Sequence, residues 1–490
     1  MRIFLALFLL LVPCAWAGED ARDFLNRAAD ASLSLRQREY AARQILMLAD
    51  SSASILIAAV NGGDGEDGGL RRQVAARLLG EMGNPAAEAA LLEAAFGTEY
   101  FLAEAASAAL GTLYSRLDDP ELYSLYKRGG REAGAVPGGT TGGDDWLVLS
   151  LGQSAHRGRF RGFVMRGLLE KYRKKPDSMP PPLAECVWDG LLDANRELRL
   201  YSALAAPLTG SSQAPERIAA FLYAENDAKL LIAALQSMAA MRNVDFGEAV
   251  LRHTAHDNPM VALEALAALD AMGYGGCMFP DAPGARCVAG YGVHPSTPVR
   301  MRAAEVLAGT KNPAALPYLT QALSDRVGAN RAFAAEALGA LGFSGAVGGL
   351  SPLLNDGRPE VRAAAAVALA KLGVVGVAAR MIDDMNGDSL PFRRAAARAL
   401  GEIGDTRAVK PLCAVLSDAD SELACLAADA LSRLGRVEAG PALYALLRET
   451  DDMAVRDAAR MALSELFRDD PGTSPANWES WSRRTGVSLP

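Results

Sequence analysis

Residues 356–373 read DGRPEVRAAAAVALAKLG, and this stretch decides the fold. Its apolar and small residues recur at intervals of three or four, the spacing of one face of an α-helix. These residues are Val361, Ala365, Leu369 and Leu372. Gly373 follows directly, and glycine readily adopts the left-handed conformation that ends many helices. The stretch therefore predicts an α-helix over 361–372 that stops at Gly373.

The same pattern recurs along the chain at a constant offset of 31 residues, without a gap, to give five copies. The leucine column is Leu307, Leu338, Leu369, Leu400 and Leu431. The alanine column is Ala303, Ala334, Ala365, Ala396 and Ala427, each followed by a second alanine. The last column is Lys311, Gly342, Gly373, Gly404 and Gly435. A following segment carries its own column, Leu319, Leu350, Met381, Leu412 and Leu443, which predicts a second helix in each copy.

Each helix pair is expected to depend on its neighbours. One pair buries too little apolar surface to offset the conformational entropy lost when about 31 residues become ordered. Stacking of successive pairs buries the leucine and alanine faces that a single pair would expose, and the paired alanines let neighbouring helices approach closely. The columns therefore predict a stacked repeat array.

The pattern Asp-x-x-x-x-Val-Arg-x-Ala-Ala-x-x-Leu-x-x-Leu-Gly, matched best by Asp356 to Gly373, resembles HEAT repeats of the short kind also found in phycobilisome lyase proteins. The resemblance is clear over 296–467, and a sixth copy of the first segment spans Val455 to Phe467 after a one-residue slip. It implies an all-α fold, an α-α superhelix (a HEAT-like α-solenoid) with right-handed stacking of antiparallel helix pairs. Weaker copies lie at 40–49, 74–83, 105–114, 198–208, 230–241 and 261–273.

Breaks in the pattern predict the organisation of the chain. We expect a signal peptide at 1–17, degenerate repeats at 18–128, a Gly-rich loop at 129–145 between two subdomains, divergent repeats at 146–273, an insertion at 274–295, regular repeats at 296–467 and a tail at 468–490. Trp478 and Trp481 in the tail are expected to cap the apolar face of the last repeat, and a partner-binding aromatic pair is the alternative.

The first residues predict export. Arg2 precedes an apolar run of ten residues, Ile3 to Val12, which is much shorter than the roughly 20 residues that span a bilayer. Ala15-Trp16-Ala17 matches a signal-peptidase site, so the expected location is periplasmic or secreted. Lipidation at Cys14 is the weaker alternative, because Pro13 precedes it. No membrane span is expected in the mature chain.

An oxidising location would permit disulfides. Cys277 and Cys287 flank the predicted insertion loop and form the candidate pair. Closing a loop of about 11 residues would stabilise the fold by about 3 kcal/mol. Cys413 and Cys425 lie on successive predicted helices, either paired or as buried thiols. The insertion is either a stabilising loop or an element that shapes a binding site.

No pattern indicates catalysis or a cofactor. His253 and His256 lie three apart but lack a third metal ligand at a diagnostic spacing. No histidine is followed by glutamate, whereas the resemblance to HEAT-repeat hydroxylases would imply several His-Glu dipeptides. The Gly62–Asp67 segment matches a single calcium-binding nonapeptide core, which is weak without stacked turns. Residues 152–156 depart from a nucleophile elbow at the last glycine. We therefore predict no catalytic residue, no metal and no cofactor.

The expected function is to bind a protein or peptide along the concave face of the array. The net charge of −8 gives no electrostatic footprint for nucleic acid. The candidate binding surface is Arg302, Glu305, Phe333, Glu336, Val367, Arg398, Leu426 and Asp429, whose positions vary between copies. An accessory or regulatory subunit of an exported enzyme complex is the alternative, and a metal-dependent oxidoreductase is a remote one.

A series of acids and arginines also recurs with the repeat. Its predicted members are Asp325, Arg331, Asp356, Arg362, Asp388, Arg393, Asp451 and Arg456. The acids are expected to cap the helix that follows, because a carboxylate suits the positive end of a helix.

Overall fold

A computed structural model describes residues 21–62, 69–129, 154–174, 179–274, 277–279, 287–472 and 474–489, apart from 32, 34 and 49. Every regular element in these ranges is a helix, so the predicted all-α class is confirmed. The chain divides into two compact units, residues 1–211 and 212–490. The predicted signal peptide, the site at Cys14, most of the 62–67 and 129–145 segments, and residues 275–276 and 280–286 of the predicted insertion lie outside the described residues.

The first unit contains ten α-helices among its described residues. They are α1 (Ala21–Ala29), α2 (Leu35–Met47), α3 (Asp50–Val60), α4 (Gly69–Met82), α5 (Glu88–Phe96), α6 (Tyr100–Tyr114), α7 (Asp119–Gly129), α8 (Ser154–Arg173), α9 (Pro181–Leu191) and α10 (Arg196–Ala205). Helix α4 packs on α6, α6 on α8 and α8 on α10.

The division of the chain into two units does not coincide with the Gly-rich segment at 129–145. Helix α8, which follows that segment, packs against both α6 and α7, which precede it. The division between the units falls instead at Ser211, inside the segment predicted as one block of divergent repeats. Glycine content indicated an interruption of the chain, but side-chain packing across the interruption keeps both sides in one unit.

The second unit contains the regular repeats. Its α-helices are α11 (Ala214–Ala224), α12 (Ala228–Met241), α13 (Gly247–Leu251), α14 (Pro259–Ala271), α15 (Thr297–Gly309), α16 (Leu316–Ala322), α17 (Gly328–Leu341), α18 (Val347–Leu350), α19 (Pro359–Lys371), α20 (Val377–Met385), α21 (Leu390–Ile403), α22 (Val409–Ala414), α23 (Ser421–Leu434), α24 (Gly440–Glu449), α25 (Met453–Phe467) and α26 (Pro475–Thr485). Short 3₁₀ turns precede or follow many of the shorter ones, among them Arg252–Ala255, Val288–Val293, Ser351–Asn355 and Thr406–Ala408.

Two layers of helices build this unit. The long helices α12, α14, α15, α17, α19, α21, α23 and α25 pack successively on one another and form what we call the long-helix layer. The shorter α11, α13, α16, α18, α20, α22 and α24 pack on them from one side. The leucine and alanine columns are buried between the layers, with Ala334, Ala365 and Leu369 each 0% exposed.

The predicted helix stops are confirmed. Gly342, Gly373, Gly404 and Gly435 all have positive φ, between 62° and 81°. Lys311 occupies the same column with a φ of 53°, so a residue with a Cβ adopts the left-handed conformation there. The repeat geometry therefore imposes this conformation even where the sequence does not provide glycine.

Glycines inside the long helices permit the closest contacts between repeats. A Cβ added at Gly401 in α21 would lie 2.8 Å from Ala430 Cα in α23. One added at Gly339 in α17 would lie 2.6 Å from Ala368 Cα in α19. These distances are too short for carbon atoms, so the helix backbones meet where both residues are small. In the first unit, Gly80 and Ala109 make the equivalent contact between α4 and α6.

The tail packs against the last helix pair of the second unit. Helix α26 packs on α24 and buries Trp478 and Trp481, which are 0% and 4% exposed. Each indole N–H has a partner: Trp478 Nε1 donates to Gly472 O at 2.7 Å, and Trp481 Nε1 donates to Asp469 Oδ2 at 2.7 Å. The Trp481 ring packs on Phe467 at the end of α25, with centroids 5.1 Å apart. The aromatic pair therefore covers the last repeat and offers little surface to a partner.

The substitution Gly401→Ala is expected to destabilise the second unit by about 1–3 kcal/mol, because the added methyl group forces α21 away from α23. Gly309→Ala is the matched control, since a Cβ there meets no atom within 4 Å. The control should be neutral or stabilise by up to about 1 kcal/mol, because alanine favours helix. Urea unfolding of the two variants measures both effects, and equal stability of the two would refute the close-contact explanation.

Replacing Trp478 by alanine is expected to cost about 3–5 kcal/mol and to unfold the C-terminal repeats first, because the substitution leaves a cavity under the cap. Arg483→Ala is the control on the exposed side of α26 and should change stability by less than about 0.5 kcal/mol. Hydrogen exchange of residues 453–489 measures the loss. Unchanged protection in Trp478→Ala would show that the tail is not a cap.

Candidate functional site

The exposed side of the long-helix layer of the second unit is the candidate interaction face. It consists of the equivalent outward-facing positions on six successive long helices, α15, α17, α19, α21, α23 and α25. We call it the long-helix face. Glu336 and Arg398 are exposed on it, and Glu305 and Asp429 are half-buried in the same column. Lys371, Glu402 and Arg433 are exposed in the next column toward the helix C-termini.

Two residues of the predicted binding surface do not belong to any open surface. Val367 is 7% exposed and Leu426 is 4% exposed. Val367 is next in sequence to Ala368, which meets Gly339 of α17, and Leu426 lies one helical turn before Ala430, which meets Gly401 of α21. Because they vary between copies, the sequence grouped them with the surface residues, but their variation reflects how each pair of helices packs.

Arg302 also has a structural contact that the sequence did not reveal. Its guanidinium binds both carboxylate oxygens of Glu264 on α14, at 2.5 and 3.1 Å, and Glu305 at 3.1 Å. Glu264 is 4% exposed, and a buried carboxylate of this kind needs a cation beside it. Arg302 therefore ties α15 to α14. Phe333 is half-buried and lies beside Tyr318, Arg300 and Asn330 around a small cavity between α15, α16 and α17.

The predicted acid–arginine series is a ladder of ion pairs between successive repeats. Arg331 in α17 binds both oxygens of Asp356, in the loop before α19, at 2.9 Å each. Arg300 binds Asp325 in the same way at 2.6 and 2.9 Å, and Arg393 binds Asp418 at 2.5 Å. In each pair the acid lies 25 residues after the arginine, so every pair joins one repeat to the next.

The arginine also binds its own loop. Arg331 donates to the carbonyl of Asp325 at 2.7 Å, and Arg300 donates to that of His294 at 2.9 Å. Each acceptor precedes its arginine by six residues. Because one guanidinium satisfies a carbonyl in its own repeat and a carboxylate in the next, the ladder fixes the relative position of adjacent loops.

Four predicted members of the ladder behave differently. Asp388 and Asp451 are exposed, and Arg362 pairs with Asp384 at the end of α20, at 2.9 Å, instead of with Asp388. The ring of Phe392 also lies 4.1 Å from the Arg362 guanidinium. Arg456 keeps only the loop contact, to the carbonyl of Thr450.

The prediction that the ladder acids cap the following helix is also wrong. Asp325 and Asp356 accept hydrogen bonds from Val327 and Arg358, the residues two positions on, and their helices lack a side-chain cap. Asp420 and Asp452 cap α23 and α25 instead. Asp325 and Asp356 each lie two residues before the N-cap position, so their carboxylates accept from the N-cap N–H and not from the first turn of the helix.

Sequence reasoning missed several members of this network. Arg300 lies one repeat before Arg331, and the repeat offset could have revealed it. The pair of Arg161 and Asp193 in the first unit, and that of Arg394 with Asp420 at 2.5 and 2.9 Å, gave no comparable signal because each falls outside the aligned columns.

The ladder lowers the pKa of its carboxyl groups. The hydrogen bonds from Arg300 hold the pKa of Asp325 well below its usual range, and those from Arg331 lower the pKa of Asp356. A carboxyl group whose pKa is lower in the folded than in the unfolded protein stabilises the fold above the unfolded pKa, near 3.9. That contribution is lost as the pH falls through the folded pKa.

The structure also places the cysteines and the two neighbouring histidines that the sequence singled out. Cys287 is a buried free thiol, so the Cys277–Cys287 disulfide is not formed in the structure. Cys413 is likewise a free thiol and is not bonded to Cys425.

The rings of His253 and His256 lie 6.3 Å apart, and within the described ranges no group of three His, Cys, Asp or Glu side chains is placed to hold a metal ion. None of the helices in those ranges is long and apolar enough to cross a membrane.

A protein-family model matches the same part of the chain that contains the ladder and the regular helix pairs. The model of the family described as HEAT repeats matches residues 292–370, 319–391 and 379–464. The segment from 292 to 464 is therefore an array of HEAT repeats, as the Asp356–Gly373 pattern predicted. The search of the curated proteins returned no match for this chain.

Solved structures of other helical-repeat proteins are similar to this chain. Yeast importin-beta (Kap95p) shares 13% identity, with 96% of this chain and 74% of that one covered and a TM-score of 0.45. The complex of CpcE and CpcF of phycocyanin lyase from Nostoc sp. PCC7120 shares 19% identity, with 59% and 97% covered and a TM-score of 0.27. Human deoxyhypusine hydroxylase shares 18% identity, with 59% and 96% covered and a TM-score of 0.22.

We expect Arg331→Ala to lower the free energy of unfolding by about 2 kcal/mol at pH 7, because it leaves a half-buried carboxylate and a loop carbonyl without their donor. The difference from wild type should shrink as the pH falls from 5 to 2.5, since protonated Asp356 no longer attracts the guanidinium. Arg358→Ala, at an exposed arginine beside it, is the control. Urea unfolding at several pH values measures the difference, and a pH-independent difference would contradict the ion-pair explanation.

Proposed function

We propose that this chain is an exported, non-enzymatic scaffold that binds a protein or peptide partner along the long-helix face of its second unit. The observation that supports this proposal is the contrast between two kinds of position on the same helices. The buried leucine and alanine columns are nearly invariant, whereas the exposed column changes from Glu336 to Arg398 to Met461 across α17, α21 and α25.

Such a face suits an extended ligand. Neighbouring packed helices lie about 8–10 Å apart, so Glu336 and Arg398, two long helices apart, are about 16–20 Å from each other. An extended peptide covers this distance with about five or six residues. Glu336, Lys371 and Arg398 present charges of both signs along that path, which would fix the direction of a bound chain by complementary charge.

The proposed export rests on the sequence of residues 1–17, and the expected mature chain begins at Gly18. The partner is then another protein of the envelope or of the extracellular space. Periplasmic or secreted location and partner identity are tested together by isolating the tagged protein from its native host.

The experiment places a photo-crosslinking amino acid at Glu336, at Arg398, or at Lys410, in otherwise unchanged full-length protein. Lys410 is exposed on the short helix α22 and belongs to the same repeat as Arg398. We expect one set of partner bands from the first two positions and none from Lys410, with Gly18 as the N-terminus of the captured protein. Crosslinks from Lys410 alone would overturn the assignment of the face.

Charge reversal provides the quantitative test. Arg398→Glu and Glu336→Lys are each expected to weaken capture of the crosslinked partner at least tenfold, while Lys410→Glu leaves it unchanged. Several structural partners would define a scaffold, whereas capture of one enzyme alone would favour an accessory subunit. Equal capture by all three variants would refute the proposed face, and thermal melting shows whether each variant is folded.

A further inference from the structure

One loop position ahead of the long helices carries a side chain that accepts a hydrogen bond from the backbone N–H two residues later. We call it the turn acceptor. In the ladder repeats it is an aspartate: Asp325 accepts from Val327 at 2.8 Å, Asp356 from Arg358 at 2.9 Å and Asp418 from Asp420 at 3.0 Å. The side chain thus replaces a missing backbone partner and shapes the turn that begins the helix.

Two earlier repeats carry histidine at this position, whereas Glu225 accepts from the Asp227 N–H at 2.9 Å one repeat before them. His256 Nδ1 accepts from the Asn258 N–H at 2.9 Å ahead of α14, and His294 Nδ1 accepts from the Ser296 N–H at 3.1 Å ahead of α15. His294 lies one repeat of 31 residues before Asp325, so the histidines occupy the same structural position as the aspartates.

The two histidine turns differ from the aspartate turns in the arginine of the previous repeat. Each aspartate turn acceptor is bound by an arginine from the previous repeat. In the repeat before His294 the arginine column holds Ala262, and in the repeat before His256 it holds Leu231. A carboxylate would have no such cation there. A neutral imidazole accepts the same hydrogen bond without adding an unpaired charge.

The hydrogen bond determines the protonation state. A backbone N–H can only donate, so Nδ1 of both histidines carries no proton and the rings are neutral. We propose that His256 and His294 make the turns before α14 and α15 open on acidification, because a proton on Nδ1 replaces the acceptor with a donor that faces another donor.

The surroundings favour opening over a protonated closed turn. Beside His294, Arg300 donates to its carbonyl at 2.9 Å and Arg326 donates to the Pro295 carbonyl at 2.7 Å. The neighbouring carboxylate of Asp325 is already held by Arg300. Beside His256 lie Arg252, Asp257 and His253. The helices packed against these turns carry five other charged groups: Glu248, Glu264, Asp270, Arg302 and Glu305. Arg302 forms ion pairs with both Glu264 and Glu305.

His253 adds to the effect at the first turn but is separable from it. It is 7% exposed, and its Nε2 has no hydrogen-bond partner. Burial, together with the charge of Arg252, lowers the pKa of His253. Protonation of His253 would therefore strain the same segment through a buried charge, whereas protonation of His256 and His294 acts through the turn hydrogen bond.

Native-state hydrogen exchange of the full-length protein at pH 7.5 and pH 5.0, corrected for the intrinsic pH dependence of exchange, tests the proposal. Opening at the Asn258 and Ser296 amides is expected to increase at least about tenfold at pH 5.0 relative to pH 7.5, because acid removes the acceptor of each turn. The Val327 and Arg358 amides are internal controls, since their aspartate acceptors stay ionised over this range.

The double variant His256→Asn, His294→Asn keeps an oxygen acceptor at both positions but cannot titrate. It should retain protection of both amides at pH 5.0. Protection that is independent of pH in the wild-type protein would overturn the proposal. So would an equal acid-induced loss in the double variant, which would assign the effect to His253.

Discussion

The contact between backbones of successive long helices is the constraint on which the rest of the second unit depends. At Gly339–Ala368 and Gly401–Ala430 there is no room for a larger side chain on either helix. This close contact buries the leucine columns without large aromatic residues, and it explains why alanine is so frequent in the chain. The stability of each helix pair is consequently a property of its neighbours, which is the usual energetic character of repeat proteins.

The ladder of ion pairs complements this packing at the loops. Small residues give close approach but little directional preference, since alanine faces can slide over one another. A bidentate arginine–aspartate pair is directional, and it joins one repeat to the next at a fixed offset of 25 residues. Where the ladder lacks an arginine, as before His294 and Thr450, the aspartate is also replaced by another acceptor. In these two repeats the arginine and the aspartate are therefore absent together.

Much of the fold followed from the sequence, because leucine, alanine and glycine columns report local helix periodicity directly. Gly342, Gly373, Gly404 and Gly435 ended their helices as predicted, and Trp478 and Trp481 capped the array. Properties that depend on a neighbouring helix could not be predicted from the sequence. The burial of Val367 and Leu426, the pairing of Arg302 with Glu264 and the packing of α8 on α6 all depend on contacts between residues far apart in sequence. The sequence could assign the proposed binding face only to a set of equivalent helix positions, because the repeat periodicity carries no information about the partner.

The buried tryptophans at the C-terminal end have a consequence for how such a chain can grow. A helix pair duplicated after Phe467 would find its docking surface already covered by α26, so it could not join the array. New repeats can be accepted only between existing ones, where both flanking faces are complementary to the unit that is copied.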